Sequence, residues 1–180
     1  MTGGQGASVD TLYVIVTGAG SARRMPAIIE RLTERFEQVI SVPTDNAARI
    51  ISRRELMLIP NVSVVDSYFD PAILPFPPEG VVLVAPCTFN SLNKLAAGIA
   101  DTLALSITAE AIGRGNPVIV ALSLNPPLYA HPRTGASIQT LRSWGVEVIE
   151  PVASDNWLTL ASDDQIIAAV ERARRAAGAS

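Results

Sequence analysis

Six short apolar runs punctuate the chain, and most are followed by a segment whose apolar positions recur at helical spacing. The first run, residues 12–16 (LYVIV), has no polar position. Unbroken runs of this kind suit strands buried on both faces, as in parallel sheets. It ends in Thr17-Gly18-Ala19-Gly20-Ser21, a loop of small residues, and Pro26 stands where proline favours the first turn of a helix. Ile28, Ile29, Leu32 and Phe36 then share one helical side. Further strands are predicted over residues 39–42, 62–65, 81–85, 118–122 and 146–149. Between them, Thr44, Asp45 and Asn46 form a cap-rich start to a helical rhythm (Ala47, Ile50, Ile51, Leu56, Ile59). Helices are also predicted over 89–100, 106–113, 137–144 and 163–177, the last capped by Ser162. The proline-bearing stretches 66–80 and 123–135 are expected to be loops, as is 151–161. Residues 86–88 are expected to form a turn.

Strands alternating with helices define βαβ units, hence an α/β fold with a three-layer, doubly wound parallel sheet of Rossmann-like or flavodoxin-like kind. Length agrees: 180 residues suit one domain, expected over 11–180 after a flexible tail at 1–10. Apolar residues make up 48% against 17% charged, the balance of a folded domain. The net charge of −3 lacks the footprint of a nucleic-acid binder. One cysteine (Cys87) and one histidine (His131) leave no disulfide framework and no multi-histidine metal site. There is no apolar run long enough to span a bilayer and no signal-peptide pattern at 1–10, so a cytoplasmic, membrane-free protein is expected. A mean hydropathy of +0.30 points weakly to faces buried by oligomerisation.

In doubly wound sheets, ligands bind beyond the carboxyl ends of the strands. The residues there are Thr17–Ser21 after the first strand, Thr44, Asp45 and Asn46 after the second, Thr88, Phe89, Asn90 and Ser91 after the fourth, and Ser123, Leu124 and Asn125 after the fifth. Nearly all are small, hydroxylic or amide residues, and several lead into helix N-termini, whose unpaired N–H groups suit a phosphate. The same residue types also cap helices for stability alone. Gly18-Ala19-Gly20-Ser21 is not a G-x-G-x-x-G motif, no acid ends the second strand, and no G-K-[ST] occurs. A mononucleotide fits this set better than a dinucleotide.

Pro86-Cys87-Thr88-Phe89-Asn90-Ser91, followed by Lys94-Leu95-Ala96-Ala97-Gly98-Ile99-Ala100-Asp101, resembles the P-A-S-A-N-T…K-x-A-x-G-x-A-D signature of the homo-oligomeric flavin-containing cysteine decarboxylases. Val42-x-Thr44-x-x-Ala47, the 123–132 segment (SLNPPLYAHP) and residues 138–151 resemble that family's further motifs, in the same order. The resemblance implies an FMN-binding protein with a small-molecule substrate, assembled as a trimer or trimer-based dodecamer with flavin near the subunit interface. By position it implies cofactor contacts from Gly18, Ala19, Gly20, Ser21, Thr44, Asp45, Asn46, Thr88, Phe89, Asn90, Ser91, Ser106 and Ser123. It implies substrate contacts from Asn125, Leu128 and Tyr129, and a catalytic role for Asn125.

The family's catalytic histidine has no counterpart in residues 66–80, nor its later cysteine in 153–163. His131, on the expected substrate loop, is the one candidate replacement base, against the plainer reading of a surface histidine. Cys87 reads as a small buried residue, because apolar surroundings raise a thiol's pKa. Three functions follow: a flavin-dependent decarboxylase or oxidoreductase acting on a small thiol or carboxylate, a flavin prenyltransferase-like enzyme, or a non-catalytic flavin-binding regulator.

Overall fold

The computed structural model describes residues 10–74, 79–154 and 157–178. Most of the expected tail (1–9) and the prolines at 75, 77 and 78 lie outside them. Six parallel strands build one sheet: β1 (Thr11–Val16), β2 (Gln38–Pro43), β3 (Val62–Val64), β4 (Val81–Cys87), β5 (Val118–Leu122) and β6 (Glu147–Ile149). Their order is β3-β2-β1-β4-β5-β6, every pairing parallel. The chain winds outward from β1 through β2 to β3, then returns to lay β4 on β1's other side. That reversal between β1 and β4 is the topological switch point, where the connections leave for opposite faces and open a crevice.

The unbroken apolar runs follow from this burial. Along β1, Leu12, Val14 and Val16 face one layer, while Tyr13 and Ile15 face the other. The first layer holds α1 (Met25–Thr33) and α7 (Asp163–Gly178). Met25, Ile28, Ile29 and Leu32 of α1 are all fully buried there, each contributing roughly 1.5–3 kcal/mol of transfer free energy. The second layer holds α3 (Phe89–Ala96), α4 (Leu103–Arg114) and α6 (Pro132–Ser143). Two short helices, α2 (Arg53–Met57) and α5 (Pro126–Tyr129), lie in connections.

Several boundaries differ from the sequence expectation, each for a local reason. The helical rhythm after β2 splits into a 3-10 turn, Ala47–Arg49, and α2, because Ser52 restarts the helix by accepting from the Glu55 amide at 3.4 Å. β4 runs on through Pro86 and Cys87, with irregular register against β5 after Val84 and a cis Ala85–Pro86 bond. The helix expected over 89–100 stops at Ala96, where Gly98 takes φ +68°. The next helix begins at Leu103 instead of residue 106, because Thr102 caps it by accepting from the Leu105 amide. Pro132 starts α6 five residues early, behind His131 as cap. The stretch expected as loop over 151–161 carries an antiparallel pair, β7 (Val152–Ser154) and β8 (Trp157–Thr159). Ser162 is a cap as expected, in a reciprocal box: its hydroxyl accepts from the Gln165 amide at 3.2 Å, and the Gln165 side chain accepts from the Ser162 amide at 3.0 Å.

Candidate functional site: the crevice at the switch point

Thr17 closes β1 and joins it to β4. Its hydroxyl donates to the Pro86 carbonyl at 2.7 Å and accepts from the Thr88 amide at 3.1 Å. Thr44 ties in β2, its amide donating to the Val16 carbonyl at 2.9 Å and its hydroxyl accepting from the Ala47 amide at 3.3 Å. Gly18 passes so close to this segment that a Cβ there would lie 2.4 Å from the Asn46 Cβ. Only glycine allows that approach. Thr88 caps α3, its hydroxyl accepting from the Ser91 amide at 3.4 Å. Three strand ends are thus locked together by small hydroxylic residues.

Between them and α4 lies a cavity of about 380 Å³, within the ~300–1,000 Å³ usual for ligand clefts. Its polar wall includes Thr17, Gly18, Thr44, Asp45, Asn46, Thr88, Asn90 and Ser91, and its apolar wall includes Ile15, Val84, Leu95, Ala104 and Leu105. The backbone N–H groups of Gly18, Asp45 and Asn46 have no carbonyl partner among the described residues, and the first turn of α3 adds further free N–H groups. Such a set receives an anion without needing to be neutralised. Lys94 reaches the same cavity, but its ammonium pairs with Asp101 at 2.6 Å and holds that carboxyl below its ordinary range.

Seven expected cofactor residues therefore meet at one cleft: Gly18, Thr44, Asp45, Asn46, Thr88, Asn90 and Ser91. The others sit elsewhere. Ala19 and Gly20 lead into the 3-10 turn Gly20–Arg24. Ser21 pairs its hydroxyl with that of Ser123 at 2.7 Å, joining the β1 and β5 loops. Ser106 donates to the Ala100 carbonyl at 3.0 Å. Arg24, adjacent to the β1 loop, turns away to Asp163 and the Leu160 and Ala161 carbonyls.

Asn125, Leu128, Tyr129, His131 and Phe89 form a second locus. Asn125 caps α5, accepting from the Leu128 amide at 3.0 Å. Tyr129 hydrogen-bonds Glu150, which Arg142 also pairs at 2.8 Å. His131 caps α6, its Nδ1 accepting from the Arg133 amide at 3.1 Å, and its ring meets Phe89 edge-on at 5.2 Å. That hydrogen bond assigns the neutral ring's proton to Nε2, so the exposed nitrogen is a donor. Cys87 is fully buried, and burial pushes its thiol up to about 12.

Sequence reasoning placed Thr17 among the strand-end residues but missed Arg49, Thr102 and Thr108 as wall residues. Thr102 carries the signal of a cap. Arg49 and Thr108 have no local signal, since only the fold turns them toward the crevice.

This fold and crevice define a doubly wound α/β protein with a hydroxyl- and amide-lined cleft at the switch point. The chain belongs to the flavoprotein family, whose model matches residues 5–174. It is 26% identical over 167 residues to the coenzyme A biosynthesis bifunctional protein CoaBC of Thermococcus kodakarensis, covering 89% of this chain and 41% of that protein. The chain thus spans about two fifths of that curated relative. Among solved structures, a PPC decarboxylase variant complexed with pantothenoylaminoethenethiol superposes with a TM-score of 0.76 at 20% identity, covering 90% of this chain and 96% of that one. The FMN-dependent cysteine decarboxylase TvaF of thioviridamide biosynthesis gives 0.75 at 24% identity, covering 92% and 98%. These likenesses confirm the doubly wound fold.

Proposed function

We propose that the chain binds FMN in the switch-point crevice and acts as a flavin-dependent decarboxylase or oxidoreductase on a small thiol or carboxylate. The observation that carries the reading is the crevice itself, a cleft of about 380 Å³ whose polar wall is mostly hydroxyl and amide groups. It supports a singly phosphorylated ligand with a polar chain and an apolar ring system. The unpaired amides of Gly18, Asp45 and Asn46 would hold the phosphate, Thr44, Thr88, Asn90 and Ser91 would hydrogen-bond the polar chain, and Ile15, Val84 and Leu105 would give the ring an apolar bed. When bound, FMN supplies an acceptor for two electrons.

The chain's own groups then orient and hold the substrate. The Asn125 amide NH2 is free to donate while its carbonyl caps α5. The His131 Nε2–H donates to a carboxylate at the same locus and does not remove a thiol proton, because Nδ1 is committed to the Arg133 amide. That commitment favours one second reading, a flavin-binding regulator without turnover. In either case the protein is expected to be a homo-oligomer, as the sequence resemblance implies.

Titrating the purified chain with FMN and following flavin fluorescence tests the first claim. Saturable quenching with a rise in Tm is expected, and an unchanged signal at saturating FMN overturns it. Assays with cysteine-containing acids then separate enzyme from regulator. Carbon dioxide release or flavin reduction supports turnover, and neither, in a chain that binds FMN, supports the regulator.

A further inference from the structure

The crevice carries three charged side chains, Asp45, Arg49 and Lys94. Lys94 is neutralised by Asp101. Arg49 is not. It ends the 3-10 turn Ala47–Arg49 that leaves β2, reaches the cleft, and has no hydrogen bond or ion pair among the described residues. Two nearby arginines are used within the protein, Arg53 pairing with Asp66 and Arg24 with Asp163, whereas Arg23 and Arg54, like Arg49, have no side-chain partner among the described residues. Asp45, four positions before Arg49, forms no ion pair with it. The cleft lining therefore holds an exposed guanidinium and an exposed carboxylate, Arg49 and Asp45, neither of them in an ion pair among the described residues. A guanidinium is a planar, permanently charged fork that suits phosphate oxygens.

Resting on the FMN reading above, we propose that Arg49 is the charged contact to the phosphate of the bound mononucleotide and makes the crevice select the phosphorylated flavin over the unphosphorylated one. The family-like segment ends at Ala47, so this contact lies outside the motif that carries the resemblance. The neighbouring amides place the phosphate, and Arg49 supplies the charge discrimination that neutral donors lack.

The full chain and its Arg49→Gln and Arg49→Lys variants are titrated with FMN and with riboflavin by flavin fluorescence quenching, with Tm recorded for each. Wild type is expected to bind FMN more tightly than riboflavin. Arg49→Gln is expected to weaken FMN about tenfold or more, as loss of a charge-assisted hydrogen bond does, and to leave riboflavin within about twofold. Arg49→Lys is expected to recover part of the loss, and all three Tm values should agree because the side chain has no partner to lose. Equal loss for both flavins, or none for either, overturns the assignment while leaving the FMN reading intact. A wild-type chain that binds neither flavin overturns both.

Discussion

At the scale of single residues, the structure separates side chains that carry chemistry from those that only look reactive. Cys87 is the chain's one thiol and sits inside the segment that resembles the flavin-binding motif, yet it ends β4 fully buried with a thiol pushed up to about 12. A thiol that high forms almost no thiolate near neutrality, and the thiolate is the nucleophile. Iodoacetamide at about pH 8 is therefore expected to leave the native chain unmodified, with stoichiometric labelling at Cys87 once denaturant unfolds it, read by intact mass. Rapid labelling of the native chain would place the thiol in solvent and contradict the packing of β4. This burial was legible in the sequence, because Cys87 continues the apolar run VVLVAP. Arg49 was not legible. Hydrophobic pattern tells which strand end a residue follows, but whether its side chain turns into the crevice depends on the 3-10 turn that the sequence reads as a continuous helix.

Among the elements, the sheet strands and α1, α3 and α7 were legible because each presents an apolar face with a clear period and a marked start. The elements the sequence concealed outright, β7, β8 and α5, lie in stretches it reads as loops and are too short to establish a period. β7 and β8 have three residues each and α5 has four. Their stability comes from tertiary partners. For α5 that partner is the Glu150 carboxylate beyond β6, which accepts from the Tyr129 hydroxyl and from Arg142, itself bonded to the Val148 carbonyl at 3.2 Å. These two donors, Tyr129 foremost, hold the Glu150 carboxyl below its ordinary range, and the same bond raises the Tyr129 phenol. A folded-state pKa below the unfolded one contributes stability that is present above the unfolded value and lost as pH falls through the folded one. Glu150→Gln is expected to lower stability near neutral pH modestly, by no more than about 1 kcal/mol for so exposed a group. The gap to wild type should close below about pH 4, where the unfolded-state carboxyl protonates. Thermal melts across that range check it, and a gap independent of pH would mean the carboxylate does not anchor α5.

Over the whole molecule, the expected site residues divide into two loci, the crevice and the Asn125–His131 cluster, whose Tyr129 lines a separate cavity of about 300 Å³. The surface carries a matching anomaly. Met57 and Leu58, at the end of α2, are 65% and 77% exposed, and Phe69, after β3, is 85% exposed. Both segments flank β3, an edge strand of the sheet. Large apolar side chains grouped along an edge mark an interaction surface more often than a finished one. The family resemblance implies an oligomer with flavin near the subunit interface, and an assembly of that kind would let one copy's Asn125 cluster approach another copy's crevice. The double variant Leu58→Glu, Phe69→Glu places two carboxylates on this edge, where burial against a second copy would cost them their hydration. Light scattering is expected to show the wild type as an assembly of several chains and the variant as a monomer, with unchanged far-UV circular dichroism because neither side chain supports the core. FMN affinity should fall along with assembly if a second copy completes the cleft. A monomeric wild type would remove the premise, and a variant that stays assembled would move the interface to another face of the molecule.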